Sequence, residues 1–291
     1  MELSNAVLAA ALGAALMNAG WNSAIKLGGD KMVAMALTTG LASLWSLLVL
    51  PWLDWRAAGL WDASVWWWLA ASVAVHTVYH FVLPRAYQHG EFGVVYPVAR
   101  GSAPLFVTLG AALLAGEWPG ATGLAGVLCL SLGVLALSVR SGAASGYGGS
   151  GYGGSGYALA TGAMIACYTV IDGLGARASG SALLYAALLT LGDGLATVLI
   201  VAWRRGPAVL RADARTWLLC ALAAAMQLSA SWMATWALSQ APMGLVSALR
   251  ESSVLFAGWI AAWLMRERLG RVRMLASALV FGGIVLVRWG G

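Results

Sequence analysis

Long apolar runs separated by short polar loops take up almost the whole 291-residue chain. A helix needs roughly 20 apolar residues to cross the hydrocarbon core of a bilayer. Only 10% of the residues are charged, whereas a soluble domain has about 25%, so too few charges are present to solvate a globule of this size. We therefore predict a membrane protein. The ten runs are residues 5–25, 33–53, 64–83, 93–115, 121–139, 157–176, 181–202, 215–238, 243–264 and 272–288.

These runs should be helices, because backbone groups in lipid must find hydrogen-bond partners within the protein. They are too long for barrel strands and do not alternate apolar with polar residues. The predicted fold class is an all-α integral membrane protein with ten transmembrane helices. The net charge of +6 does not indicate a nucleic-acid partner, because the basic residues lie in short loops between apolar runs. The expected partners are the lipid bilayer and a small-molecule substrate.

A segment rich in Gly, Ser and Tyr, residues 141–156, has five apolar runs on each side. Such a composition cannot make a packed core and is typical of a flexible linker. We predict two domains, residues 1–140 and 157–291, joined by this linker.

The two halves repeat one another in sequence. YPVARGSAPLF (96–106) matches VSALRESSVLF (246–256) at an offset of 150 residues, and Gly133 matches Gly283 at the same offset. Five helices per half is an odd number, so the second half must enter the membrane from the opposite side. The halves are therefore predicted to be inverted five-helix repeats. Such repeats place a binding site near the midplane and support alternating access.

Several motifs resemble the EamA family of the drug/metabolite transporter superfamily. They are AYQHGEFGVVYPVARGSAP (86–104), AGEW (115–118), AGWNSAIK (19–26) and CYTVIDGLGAR (167–177). The segment Tyr-Pro-x-x-Arg-Gly-x-x-Pro is the most specific of them, and the resemblance covers nearly the whole chain. It implies ten helices, secondary active transport and commonly the export of small metabolites such as amino acids.

Two arginines lie inside predicted helices, Arg100 in helix 4 and Arg250 in helix 9. A charge inside a membrane is costly and is a functional candidate by default. Pro97 and Pro104 leave carbonyl groups without their helical donors near Arg100. The guanidinium is then either a clamp for a substrate carboxylate or a group locked to those carbonyls or to the other half. The same two roles apply to Arg250, which lies beside Glu251. For Arg250 we favour the structural role.

Helix 3 carries His76, Tyr79 and His80 on one face, because residues three and four apart are neighbours on a helix. Two histidines at this spacing could hold a metal, but no acidic partner accompanies them, so we expect neither a metal nor another cofactor. The face either lines a water-filled cavity or bonds to neighbouring helices.

Acidic residues inside helices are candidates for coupling transport to protons. Asp193 lies near the middle of predicted helix 7, and Asp172 lies in helix 6. Burial raises the pKa of a carboxyl group toward the pH range in which it can bind and release a proton. The alternative for Asp193 is a charge paired with an arginine of the other half.

Further polar and aromatic residues complete the candidate substrate site, each with helix packing as the alternative role. They are Asn18, Trp21, Asn22, Tyr96, Tyr168, Gln227, Trp232, Trp236 and Ser247.

The orientation in the membrane follows from the basic residues in the loops. Twelve Lys and Arg residues lie in or next to the loops that follow odd-numbered helices, and three lie on the opposite side of the membrane. Positive residues favour the cytoplasm, so both termini are predicted outside the cell inner membrane. The EamA resemblance implies termini inside, and the two expectations conflict.

The sequence thus predicts a multi-pass inner-membrane transporter for an amino acid or another carboxylate, with export favoured. Transport is driven either by a proton gradient or by simple exchange of one substrate for another. A second hypothesis is an exporter of apolar or cationic compounds that uses the many tryptophans. A membrane-embedded enzyme using His76 and His80 is a weaker hypothesis, because no nucleophile or acidic metal motif accompanies them.

Overall fold

The computed structural model describes residues 3–26, 31–56, 62–89, 92–144, 151–206, 211–257, 259 and 271–289. Across these ranges the chain forms helices and turns, and no strand is present among them. The all-α prediction is therefore confirmed for the described part of the chain. The helices are α1 Asn5–Lys26, α2 Lys31–Val49, a 3-10 turn η1 Leu50–Trp52, α3 Ala63–His89, α4 Phe92–Ala115, α5 Ala121–Ala144, α6 Gly151–Ala178, α7 Ala182–Arg205, α8 Ala214–Gln240, α9 Met243–Arg250 and α10 Arg271–Trp289.

Within the described ranges, five helices are long and apolar enough to cross a membrane. Large apolar side chains such as Leu113, Leu199 and Phe281 stand exposed on the helices, as a lipid-facing surface requires. These features support a membrane protein. The five are Met32–Trp52, Val95–Ala115, Gly156–Ala178, Ala182–Arg205 and Ala214–Gln240, and two shorter apolar helices are Ala121–Leu137 and Met274–Trp289.

Predicted helix 9 is not continuous over residues 243–264. α9 ends at Arg250, a turn follows at Glu251 and Ser252, and residues 253–257 are helical again. In the turn, the Glu251 N–H donates to the Ala248 carbonyl oxygen (3.0 Å) and the Ser252 N–H to that of Leu249 (3.1 Å). The Ser252 hydroxyl donates to the same Leu249 oxygen (2.7 Å). A serine that bonds the preceding turn competes with the helical ladder, so the continuous helix was a wrong prediction at this point.

The predicted linker is partly helical. α5 continues to Ala144 and α6 begins at Gly151, so both ends of segment 141–156 extend the flanking helices. Each residue added to an existing helix gains a hydrogen bond without the cost of starting one, which lets helices run beyond their apolar stretches. Residues 145–150 lie outside the described residues.

The chain divides into two compact units, and each combines segments from both sequence halves. Unit 1 is Met1–Leu12, Val78–Val170 and Gln240–Gly291, and unit 2 is Gly13–Thr77 and Ile171–Ser239. In unit 1, α4 contacts α9 and α5 contacts α10, and in unit 2, α2 contacts α7. Each of these pairs joins helices of equal position in the two predicted repeats.

The α5–α10 contact in unit 1 has an internal symmetry. Gly133 and Gly283 allow close approach, because an added Cβ would stand 3.1 Å from a backbone oxygen at the first and 3.0 Å at the second. Shifting two of the three Gly133 partners, Ala276 and Val280, by 150 residues gives the partners of Gly283, and such reciprocal contacts are the mark of a two-fold relation. Gly133 meets Ala276 and Val280, and Gly283 meets Gly126 and Leu130.

The start of α9 in unit 1 is held by an acidic side chain. Glu117, which follows α4, accepts a hydrogen bond from the Met243 N–H at its Oε2 (2.9 Å). A carboxylate at a helix N-terminus is stabilised by the free N–H groups and the helix dipole. An added Cβ on Gly244 would overlap the Thr108 hydroxyl of α4, so the two helices lie in close contact here.

In unit 2, α2 and α7 are joined by serine hydroxyls. Ser43 donates to the Thr190 carbonyl oxygen and Ser46 to that of Ala187, each at 2.8 Å. An added Cβ on Gly194 would overlap the Ser43 hydroxyl. Small residues of this kind let the backbones of membrane helices approach closely.

Candidate functional site

A buried ion pair in unit 1 joins α4 to the turn that ends α9. The Arg100 Nε lies 2.8 Å from the Glu251 Oε2, and the Arg100 Nη2 donates to the Ser253 hydroxyl at 2.9 Å. Arg100 is 8% exposed and Glu251 is 2% exposed, so neither charge faces solvent. The carboxylate neutralises the guanidinium.

The break after α9 positions this pair. The turn at Glu251 and Ser252 separates α9 from helical residues 253–257. Residues two positions apart on a regular helix do not face the same way, and the turn allows Glu251 and Ser253 to contact the same guanidinium. Of the two roles predicted for Arg100, this arrangement corresponds to a group locked to the other half. The partner is a carboxylate rather than a proline-freed carbonyl.

The repeat does not duplicate this ion pair. At the offset of 150 residues, Gly101 and Ala103 occupy the positions of Glu251 and Ser253, and neither side chain can accept a hydrogen bond. Arg250, the equivalent of Arg100, is partly buried. The two arginines therefore have different surroundings.

Two predicted neighbours of these arginines lie in the same unit. Tyr96, one turn before Arg100 on α4, interacts with Ser253. Ser247 is buried on α9, at 2% exposure.

A second polar cluster, in unit 2, joins α3 to α6. The Ser72 hydroxyl donates a short hydrogen bond to the Asp172 Oδ1, and the His76 Nε2 lies 3.8 Å from the Asp172 Oδ2. The His76 Nδ1 lies 3.0 Å from the Ser72 carbonyl oxygen and 3.1 Å from its hydroxyl. We call Ser72, His76 and Asp172 the His–Asp cluster.

Ser72 has no distinguishing pattern in the sequence. The serine is fully buried and lies four positions before His76, so both share one face of α3. A hydroxyl one turn before a histidine of an apolar run is the available signal, but serines are common in such runs and only the packing of α6 brings this one to Asp172.

Tyr79 and Tyr168 are brought together in unit 1. Their rings meet edge to face with centroids 5.7 Å apart, a favoured aromatic geometry. The His80 ring tilts against Tyr79 at 5.9 Å. These three predicted residues therefore form one aromatic contact.

The three candidate site residues of helix 1 form hydrogen bonds with one another. The Trp21 Nε1 donates to the Asn18 Oδ1 (2.9 Å), and the Asn22 Nδ2 donates to the Asn18 carbonyl oxygen (2.8 Å). All three are partly buried in unit 2. The bonds hold their rotamers within α1.

The predicted residues of helices 7 and 8 occupy unit 2. The Trp232 Nε1 donates to the Thr190 hydroxyl at 3.3 Å. The Gln227 Oε1 is buried and has no hydrogen-bond partner among the described residues. Trp236 and Asp193 are partly buried.

Two aspartates outside the membrane-spanning helices show ordinary capping chemistry. A hydrogen bond from the Ser64 N–H lowers the pKa of Asp62, and one from the Thr216 hydroxyl lowers the pKa of Asp213. Among the described residues, no three His, Cys, Asp or Glu side chains group as a metal site would need.

Comparison with known proteins defines the fold alone. No family model and no curated protein matches the chain. One protein crystal structure superposes with a TM-score of 0.73 over 96% of this chain and 94% of its own, at 20% sequence identity. The helical arrangement therefore occurs in a solved protein, and at this identity the likeness carries no function.

Proposed function

We propose that the chain is a secondary active transporter of the EamA type, with ten spans arranged as two inverted five-helix repeats. It moves a small metabolite across the inner membrane by alternating access. Support comes from the pairing of α2 with α7, α4 with α9 and α5 with α10. The reciprocal contacts of Gly133 and Gly283 add to this support, since they are what a two-fold relation between the halves requires.

The observation that carries the proposal is the buried charge at a broken helix. Glu251 lies at the break after α9 and pairs with Arg100. Charges within membrane helices are expensive and mark substrate or ion pathways. Discontinuous helices mark the binding regions of transporters with inverted repeats. A scaffold that only packs against lipid needs neither feature.

The proposed substrate is an amino acid or another carboxylate, with export as the favoured direction. An exporter of cationic or apolar compounds is the second candidate. The pairing of Arg100 with Glu251 favours this second candidate, because it neutralises the cation that would bind a carboxylate in this conformation. Arg250 interacts electrostatically with the same Glu251, so a carboxylate substrate would compete with Glu251 for both arginines.

Uptake into liposomes tests the proposal. Purified protein is reconstituted, and the uptake of a tritiated amino-acid mixture is compared with that of labelled tetraphenylphosphonium, a permanent cation. We expect saturable uptake of one probe above protein-free liposomes, unchanged in the exposed control Asp213→Asn. Absence of saturable uptake of both probes, in both membrane orientations, would contradict transport of these classes.

The proposed orientation has both termini outside, from the count of basic loop residues. Single cysteines at Ser4 and Arg288, labelled by a membrane-impermeant maleimide in intact cells of a cysteine-free variant, test it. Labelling at both positions agrees with the count, and labelling only after lysis supports termini inside.

A further inference from the structure

One end of unit 2 concentrates positive charge where α7 ends and α8 begins. Four arginines of segment 203–217 have exposed side chains, and the only acidic residue of the segment is Asp213. Four positive charges against one negative give the segment a net charge of +3. We call the four arginines the basic end, and they are Arg204, Arg205, Arg211 and Arg215.

Both parts of the basic end adjoin the start of α2. Successive serines along α2 bond to residues successively earlier in α7, so the two helices are antiparallel and the end of α7 lies beside the start of α2. Near that start, Ala34 and Leu37 pack against Cys220 of α8. The arginines that end α7 and those around the start of α8 therefore lie at the same end of unit 2.

Exposed tryptophans flank the basic end. Trp203, in the last turn of α7, is 84% exposed, and Trp217, near the start of α8, is 40% exposed. Both helices are long and apolar enough to span a membrane, and indole rings collect at the headgroup level of a bilayer. The arginines beside these rings would then lie at the depth of the lipid phosphates, which a guanidinium can bind through two parallel hydrogen bonds.

The opposite end of unit 2 also has exposed tryptophans, but its charges balance. Trp52 and Trp67 are 81% and 76% exposed there. Two acids face two arginines among the described residues of this end, whereas the basic end has an excess of arginine. Charge, and not tryptophan content, therefore distinguishes the two ends. The charged residues of the opposite end are Asp54, Arg56, Asp62 and Arg177.

We propose that the basic end binds the phosphate groups of anionic phospholipids, so that unit 2 collects anionic lipid at this end and not at the other. Basic clusters next to membrane spans attract anionic headgroups, and the attraction acts within a Debye length of the surface. The inference depends on the membrane location of the chain and is independent of the transport function. It agrees with the proposed orientation, in which this end faces the cytoplasm.

A local fluorescence measurement tests the proposal without any substrate. Ala214→Cys and Ala63→Cys are a matched pair, because each replaces the exposed first residue of a helix, one at either end of unit 2. Each variant is made in the cysteine-free background, labelled with bimane and reconstituted in phosphatidylcholine liposomes. Spin-labelled phosphatidylglycerol or spin-labelled phosphatidylcholine, with the nitroxide near the headgroup, then quenches the dye according to its local concentration.

We expect phosphatidylglycerol to quench the dye at position 214 more strongly than phosphatidylcholine does, and the two lipids to quench equally at position 63. In about 1 M salt the Debye length falls to about 3 Å, and the preference at position 214 should disappear. Equal quenching by both lipids at position 214 overturns the proposal. A preference for phosphatidylglycerol of the same size at both positions overturns its assignment to the basic end.

Variants of the basic end test whether its charge causes the preference. In the Ala214→Cys background, Arg211→Gln with Arg215→Gln should lower the relative affinity for phosphatidylglycerol about fivefold per arginine. Arg211→Lys with Arg215→Lys should retain most of it, because the charge is kept. Arg56→Gln, an exposed arginine of the opposite end, should leave it unchanged. An undiminished preference in the glutamine pair contradicts the proposal.

A soluble phosphate ester separates a lipid site from a site for free phosphate compounds. Glycerol 3-phosphate has the phosphate of the lipid but no acyl chains. In millimolar excess it should leave the quenching by phosphatidylglycerol at position 214 unchanged, because the bilayer presents many lipid phosphates at the depth of the arginines. Displacement of the lipid signal by glycerol 3-phosphate, at an ionic strength matched with sodium chloride, would overturn the assignment to lipid.

Discussion

The two polar pairs that join helices, one in each unit, differ in how closely their members approach. The Arg100–Glu251 pair of unit 1 is close, at 2.8 Å, and Ser253 binds the guanidinium as well. The His76–Asp172 pair of unit 2 is wider, at 3.8 Å, and Ser72 lies between its members. Arginine stays charged in proteins, and the shorter distance allows the stronger attraction. The first pair therefore holds a helix break in place.

The largest expected effect is the loss of the unit 1 pair. Glu251→Gln leaves Arg100 as a buried charge without its counterion, and breaking a buried pair in this way costs about 3–5 kcal/mol. The free energy of unfolding in mixed detergent micelles measures it. The double variant Arg100→Met, Glu251→Met should recover most of the loss, because an apolar replacement of both partners is often neutral. A single variant as stable as the wild type would contradict a holding role.

A smaller loss is expected from Asp172→Asn in unit 2. The variant removes the charge to which the Ser72 hydroxyl donates and puts an amide NH2 group in place of one carboxylate oxygen, so we expect a destabilisation of about 1.5–3 kcal/mol, the range for a hydrogen bond to a charged group. The same unfolding measurement tests it. A loss larger than that of Glu251→Gln would reverse the comparison between the two pairs.

The two bridging serines should have effects on stability similar to each other and to that of Asp172→Asn. Ser253→Ala and Ser72→Ala each remove one hydrogen bond to a charged group, and we expect about 1.5–3 kcal/mol for each. The same unfolding measurement tests both variants. A loss in either variant as large as that of Glu251→Gln would contradict a bridging role.

The smallest expected effect belongs to Asp213, exposed before α8. Its pKa is lowered in the folded protein by the Thr216 hydroxyl. The ionised carboxylate therefore stabilises the folded protein at a pH above the ordinary pKa of an aspartate. The contribution disappears as the pH falls through the lowered pKa. Asp213→Asn and wild type should therefore differ by a constant amount between about pH 5 and 8, where an aspartate is ionised, and converge in acid. A pH-dependent difference near neutrality would contradict this, and thermal melting curves across pH provide the measurement.

Part of the candidate site was accessible from the residue pattern alone. Arg100 and Asp172 were identified because a charge within an apolar run is costly and thus conspicuous. Their partners were not identifiable in the same way. Glu251 was considered only as a neighbour of Arg250, and Ser72 was not considered, because pairing across 100 residues or more depends on which helix faces meet.

The interruption of helix 9 shows the same limit within one segment. The apolar run 243–264 indicates one helix, because hydropathy alone carries no information about a turn within an apolar run. Glu251, Ser252 and Ser253 interrupt it because their side chains bond elsewhere, to Arg100 and to the Leu249 carbonyl oxygen. The contacts of Glu251 and Ser253 with Arg100 exist only once α4 is in place, whereas the bond of Ser252 to Leu249 is local.

The sequence by itself determined that the chain is helical and suited to a membrane, because both follow from local composition and from the need to satisfy backbone groups in lipid. It also indicated the repeat, and the symmetric contacts of Gly133 and Gly283 agree with the offset of 150 residues. Tertiary structure alone decided that Arg100 is paired and that His76 faces Asp172 across Ser72. The reason is physical, since a buried charge takes its partner from whatever packing brings within a few ångströms, and that neighbour has no fixed distance along the chain.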